Sequence, residues 1–152
     1  MDYAHTPDAL ERVLGTLREF LPAPLPGPAE PGRLICVFGC GGNRDREKRA
    51  PMGAAVARNA DLAWITSDNP RDEEPLAIIE DILPGFEHGR ATVDGGAVRV
   101  EPDRRKAIAR ALAEARAGDI VLIAGKGHEA WQQVRDARLP FEDRRVVLQE
   151  LA

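Results

Sequence analysis

Ile120-Val121-Leu122-Ile123-Ala124 passes directly into Gly125-Lys126-Gly127-His128-Glu129, an apolar β-type run followed at once by a polar, glycine-rich string. The same layout occurs at Leu62-Ala63-Trp64-Ile65-Thr66, which leads into Asp68-Asn69-Pro70-Arg71, and at Leu34-Ile35-Cys36-Val37-Phe38, which leads into Gly39-Cys40-Gly41-Gly42. Continuous apolar runs bounded by turn residues mark strands buried on both faces, as in a parallel sheet. Helical stretches separate them. Thr6 is placed to cap a helix over 7–20 with Pro7 at its first position, and Leu10, Val13, Leu14 and Leu17 form its apolar face. Further helices are expected over 51–60, over 75–83 with Leu76, Ile79, Ile82 and Leu83 inward, from the Asp103 cap to 117, and over 143–151. A short strand is expected over 97–100 and a weaker extended piece over 133–139, while 85–96 is rich in turns. The fold expected is α/β: a three-layer α/β/α, Rossmann-like domain with a mostly parallel sheet, covering 1–152 as one unit.

With 152 residues, 43% of them hydrophobic, the chain has enough material for one real core. Its net charge of −4 comes from interspersed acids and bases without a basic block, so neither nucleic acid nor an anionic membrane surface is an expected partner. The apolar runs are too short to span a bilayer, and the first residues lack a signal-peptide pattern, so a cytoplasmic location is expected. Five prolines between Pro22 and Pro31 exclude a central strand or a helix there, and 22–32 reads as an extended surface connection. Cys36 and Cys40 fit neither a redox pair nor half of a zinc site and read as buried free thiols.

In an open α/β sheet, ligands bind outside the carboxyl ends of the strands. The polar strings therefore stand where specificity groups belong. Gly39 to Arg44 lacks the last glycine of a dinucleotide fingerprint, and Gly125-Lys126-Gly127 lacks the Ser or Thr of a phosphate loop. The glycines after Phe38 can instead lift Arg44 into the crevice to grip a carboxylate, or Arg44 faces solvent with the charged residues after it. Asp68-Asn69-Pro70-Arg71 makes a turn in any case; Asn69 can donate and accept at once, and Arg71 can hold a carboxylate. Backbone groups at Gly125 and the carboxylate of Glu129 suit an ammonium, although 125–129 can also be a plain strand-to-helix turn. Three scattered histidines give no metal-ligand spacing, and no nucleophile elbow is present.

Asp2-Tyr3-Ala4-His5-Thr6-Pro7-Asp8-Ala9-Leu10, Phe38 to Asp45, Asp68 to Arg71, Pro102-Asp103-Arg104 and Gly125 to Glu129 occur in that order. Together they closely resemble the C-terminal domain of the Mur ligases, in the branch that adds the third residue of the peptidoglycan stem peptide. The resemblance runs over nearly the whole chain, with the Pro-rich stretch as its main departure. It implies that Arg44, Asp68, Asn69, Pro70, Arg71, Gly125 and Glu129 bind the incoming amino acid, and that this is meso-diaminopimelate, whose distal carboxylate gives Arg71 a partner. L-lysine or L-ornithine are the alternatives, and relatives using L-lysine tend to lack an arginine at the position of Arg71. It also implies that residues 1–6 are a hinge from a central ATPase domain, with Asp2 a candidate for ribose hydroxyls and His5 for nucleotide phosphates or adenine. ATP and Mg²⁺ would serve the whole ligase, held mainly by domains outside this chain, in joining the amino acid to the UDP-N-acetylmuramoyl dipeptide through an acyl phosphate. No catalytic group, metal site or resident cofactor is expected in this chain, which is expected to be inert alone and to be a piece excised from a longer ligase rather than one half of a split gene. The competing readings are a non-enzymatic amino-acid-binding domain of the same fold and a sister amide ligase such as folylpolyglutamate synthase.

Overall fold

The computed structural model describes residues 1–22 and 30–152. The Pro-rich connection expected over 22–32 falls for its greater part outside the described residues. In chain order the elements are α1 (Pro7–Glu19), β1 (Leu34–Phe38), α2 (Arg49–Asn59), β2 (Leu62–Ile65), α3 (Pro75–Ile82) running on into a 3₁₀ turn (Leu83–Phe86), β3 (Val98–Val100), α4 (Arg104–Glu114), β4 (Ile120–Ile123), β5 (Trp131–Val134), β6 (Ala137–Pro140) and α5 (Asp143–Glu150).

Four strands form a parallel sheet in the order β3-β2-β1-β4. At its centre Val37 stands beside Trp64 on one side and Ile123 on the other. The chain moves outward from β1 to β3 and then crosses by α4 to the far side of β1. The strand order therefore reverses between β1 and β4, which opens a crevice at their carboxyl ends.

Alternation along each strand decides the layers. Leu34, Cys36 and Phe38, with Ala63, Ile65 and Leu122, face Leu10 and Leu14 of α1, Val56 of α2 and Ile79 of α3. Ile35 and Val37, with Leu62, Trp64 and Ile123, face Ala107 and Ile108 of α4 and Val146 of α5. Every β1 side chain is buried, which is why that run carries no polar residue. The caps act as their residue types dictate: Thr6 accepts from Ala9 N at 3.2 Å and Asp103 from Lys106 N at 3.2 Å.

Three details depart from expectation. α2 starts at Arg49, before Pro51, because a proline in the first helical turn removes only an N–H that has no intrahelical partner anyway. Leu76 is exposed, and the buried stripe of α3 is Ile78, Ile79 and Ile82. Leu76 lies roughly a third of a turn from the centre of that stripe. The extended piece expected over 133–139 is a complete antiparallel hairpin, β5–β6, reversed at Arg135 with φ +52°. It hangs from the loop after β2 through a bridge between Arg71 and Val134.

Candidate functional site

The loops after β1, β2 and β4 meet at the crevice. Gly42 N donates to Asn69 O at 2.9 Å, and Arg71 Nη1 donates to Gly42 O at 2.8 Å, so the first two loops are zipped together. A Cβ on Gly42 would collide with the Pro70 carbonyl oxygen. Gly42→Ala is therefore expected to lower stability by about 1–3 kcal/mol in urea unfolding, with the loops pushed apart; an unchanged midpoint would mean that the loops are not in contact. In the third loop Gly125 (φ +110°) and Gly127 (φ +54°) adopt left-handed backbone, which bends the chain sharply off β4. The segment before α1 lies along the same strand end: Asp2 N donates to Ile123 O at 2.9 Å and Gly125 N to Asp2 O at 3.1 Å.

A cleft of about 420 Å³ lies between these loops, lined by His5, Arg44, Asp68, Asn69, Arg71, Gly125, Glu129 and also Lys48, Cys40 and Trp131. A larger hollow of about 690 Å³ lies beyond Arg71, under Phe141 and Arg135. The smaller cleft is the one framed by the loops after β1, β2 and β4 together, at the carboxyl ends of the strands where open α/β sheets bind ligands.

Arg71 is held at φ +52° by the hairpin, with its N–H on Gln133 O at 3.1 Å and its carbonyl accepting from Arg135 N at 2.8 Å. Only Nη1 of its guanidinium bonds to described residues, which leaves Nε and Nη2 for a ligand. Arg44 is exposed on the rim of the cleft and makes no hydrogen bond among the described residues. On the opposite side, Glu129 Oε2 accepts from Asn69 Nδ2 at 3.2 Å and from Lys126 Nζ at 3.4 Å, while Oε1 makes no hydrogen bond within the described residues. Asp68 Oδ1 is buried without a hydrogen-bond partner, although Lys126 Nζ stands 3.3 Å away.

Some expected site residues serve the frame rather than the opening. The Asn69 side chain is turned inward, its Oδ1 accepting from Lys126 Nζ at 2.9 Å and from Gln133 N at 2.8 Å. Pro70 is buried, does not line the cleft, and offers its carbonyl to Glu73 N at 3.1 Å. Asp2 also lies outside the cleft lining; its Oδ1 accepts from Ala4 N at 2.8 Å. His5 does line the cleft, with Nδ1 2.8 Å from Tyr3 O and its ring 4.7 Å from that of Tyr3.

Sequence reasoning missed three buried cations. Lys126 is fully buried beneath the cleft; Arg49 is buried with Nη2 on Glu73 at 2.8 Å and Nη1 on Asp81 at 2.8 Å; Arg104 is buried against Asp143 at 2.8 Å. Lys and Arg are almost never fully buried unless paired, and the pairing partner is not visible in local sequence. Arg49 also donates to Gly41 O at 3.1 Å, which ties the first loop to the start of α3. Its guanidinium, with Asn43 N in support, holds the Glu73 carboxyl down at about 2, against an ordinary 4.5. A depressed carboxyl stabilises the fold above its unfolded pKa and loses that contribution as protons bind. Stability is therefore expected to fall as the pH drops from about 4.5 to about 2, and urea titrations of Glu73→Gln across that window should show a shallower decline. An identical slope would remove the Arg49 pair from this account.

Cys40 lines the cleft, but burial pushes its thiol and that of Cys36 up to about 12, so neither offers a thiolate nucleophile at neutral pH. Among the described residues no cluster of three or more His, Cys, Asp or Glu could hold a metal ion, and no helix is long and apolar enough to cross a membrane.

Residues 1–127 match the family model described as Mur ligase, glutamate ligase domain. The chain is 52% identical over 151 residues to UDP-N-acetylmuramoyl-L-alanyl-D-glutamate–2,6-diaminopimelate ligase of Chromobacterium violaceum, covering 99% of this chain and 28% of that protein. It is 55% identical over 143 residues to the ligase of the same name from an Acidovorax species, covering 94% of this chain and 26% of the relative. A solved structure of a ligase with this name superposes with a TM-score of 0.83 at 42% identity, over 98% of this chain and 28% of that one. The chain thus spans little more than a quarter of the length of these relatives.

Proposed function

The chain belongs to the Mur ligase family, and on that premise we propose that it is the domain that presents meso-diaminopimelate for ligation to UDP-N-acetylmuramoyl-L-alanyl-D-glutamate. The observation that carries this reading is the grouping of charges in the cleft: Arg71 and the exposed Arg44 both stand beside Gly41, while Asp68 and Glu129 both stand beside Lys126. The distal end of meso-diaminopimelate is itself a zwitterion, with a carboxylate for the arginines and an ammonium for the carboxylates. L-lysine and L-ornithine carry only the ammonium there and would leave Arg71 without an ion partner. Asn69 and Pro70 act in this reading by fixing the loop, and Gly125 by keeping the floor of the cleft open.

In the parent reaction the D-glutamyl carboxylate takes the terminal phosphoryl group of ATP, releasing ADP, and the amine of the amino acid then displaces inorganic phosphate from the acyl phosphate and loses a proton to form the amide. The residues described here do not fit a nucleotide-and-Mg²⁺ site of their own, since the chain has no phosphate loop and its described residues no carboxylate cluster. The domain's contribution is positioning, which can supply about 7 kcal/mol of a bimolecular barrier when the geometry is right. His5 stands in the cleft and Asp2 at its edge, where a nucleotide held by a neighbouring domain would approach.

NMR titration of the labelled chain with meso-diaminopimelate, L-lysine and L-ornithine tests the reading. Shifts clustered at Arg44, Asn69, Arg71 and Glu129 for meso-diaminopimelate alone are expected, and an equal response to L-lysine would discard the substrate assignment. The purified chain is expected to show no ligation and no ATP turnover above background; turnover by the chain itself would overturn the division of labour.

A further inference from the structure

Lys126 is the buried charge that the site reading leaves unused. Its side chain is fully buried, below the cleft rather than on its wall. Its ammonium donates to Asn69 Oδ1 at 2.9 Å and to Trp131 O at 2.9 Å, lies 3.4 Å from Glu129 Oε2 and 3.3 Å from Asp68 Oδ1, and sits 5.8 Å from the Trp131 ring centre. One cation therefore touches both carboxylates proposed for the ligand's ammonium, Asp68 and Glu129, and the Asn69 amide that fixes their loop.

Two consequences follow. Orientation is the first: with Oε2 of Glu129 taken by Lys126 and Asn69, the carboxylate presents Oε1 to a ligand in one pose. Charge is the second. Arg44, Lys48 and Arg71 line the cleft against Asp68 and Glu129, and Lys126 adds a further positive charge from below. Exposed Arg44 is screened by solvent and salt, whereas a buried charge is screened much less. Lys126 thus offsets Asp68 and Glu129 at 3.3 and 3.4 Å, and without it both carboxylates would face the ligand uncompensated.

We propose that Lys126 is a specificity-determining positioning residue: its buried ammonium makes the cleft electropositive enough to reject an amino acid whose far end is a bare ammonium, while it orients Glu129 for one whose far end is a zwitterion. The inference rests on the reading of the cleft as an amino-acid site. L-lysine brings a net positive charge to that cleft, and meso-diaminopimelate brings none. Removing Lys126 relaxes the repulsion of L-lysine and also disorders the contact made by meso-diaminopimelate, so the two ligands respond in opposite directions.

The test is steady-state kinetics of the ligase carrying this domain, as wild type, Lys126→Met and Lys126→Gln, with meso-diaminopimelate and with L-lysine. The preference for meso-diaminopimelate, as a ratio of kcat/KM values, is expected to fall about tenfold or more in Lys126→Met. Most of the fall should come from a raised KM for meso-diaminopimelate, with kcat changed little. Lys126→Gln keeps donors for Asn69 and Trp131 without the charge and should lose the preference too; it carries the comparison where Lys126→Met does not fold. Equal losses for both amino acids would show a structural role only and overturn the proposal, as would an unchanged ratio. A wild-type enzyme that prefers L-lysine would overturn the site reading as well, whereas a wild-type preference that survives in the Lys126 variants sinks this inference alone.

Discussion

Arg71→Ala is expected to raise the concentration of meso-diaminopimelate needed for half-saturation by about 100-fold or more, with little change in kcat. A hydrogen bond to a charged group contributes about 1.5–3 kcal/mol, and the free Nε and Nη2 of Arg71 can make two in parallel to one carboxylate. Losing both corresponds to roughly 3–6 kcal/mol, or about 10²–10⁴-fold in affinity. Arg71 also holds Gly42 O, so its removal loosens the seam between the first two loops. Two further variants separate these effects. Arg71→Lys keeps a cation without the fork and should recover only part of the loss. Arg71→Gly suits the left-handed backbone at φ +52° better than any other residue but supplies no cation. Full binding by Arg71→Gly would mean that position 71 matters for its backbone, and the carboxylate assignment would have to be given up. The response to L-lysine should change little in Arg71→Lys and strengthen in Arg71→Ala and Arg71→Gly, which take a cation out of the cleft.

What was legible in the sequence followed from burial on both faces. The runs 34–38, 62–66 and 120–124 are apolar but for Thr66 because the strands are covered on both faces, and each ends within one residue of the observed strand. The polar strings after them stand at the carboxyl ends of the strands for the same topological reason. The directions of their side chains were not legible. Asn69 looked like a ligand group and is turned into a network with Lys126, Glu129 and Gln133. That network depends on the β5–β6 hairpin, whose Arg135-Asp136 reversal carries none of the Asn-Gly or Gly-X chemistry that announces a tight turn. Nothing in the local sequence marks Lys126, Arg49 and Arg104 as buried, since what buries each is an acceptor brought from another loop or helix. Pro102-Asp103-Arg104 was recognised as a motif without a role; its arginine finds Asp143, 39 residues along the chain.

That last pair supports the prediction with the largest effect on stability. Arg104 and Asp143 are both fully buried and meet in a two-point contact, Nε to Oδ1 at 2.8 Å and Nη2 to Oδ2 at 2.8 Å. The same guanidinium donates to Ala124 O at 2.9 Å and to Ser67 O at 3.3 Å, the carbonyls just before Gly125 and Asp68. Asp143 is the first residue of α5, where the helix dipole favours a carboxylate. Asp143→Ala strands an unpaired guanidinium in the core and is expected to destabilise the fold by about 3–5 kcal/mol. Against a typical domain stability of about 5–15 kcal/mol, that is enough to leave a substantial unfolded fraction near 37 °C. Arg104→Met with Asp143→Leu removes both charges together and should cost clearly less than Asp143→Ala alone. Urea unfolding of the single and double variants measures the coupling; additive losses would mean that the two side chains do not act as a pair. The double variant carries a second consequence. It keeps a packed interior but frees the carbonyls of Ser67 and Ala124, so the loops bearing Asp68 and Gly125 lose their common anchor. Weakened binding of meso-diaminopimelate in a protein of near-normal stability would assign Arg104 to the geometry of the cleft, and unchanged binding would confine it to holding the sheet and α5 together.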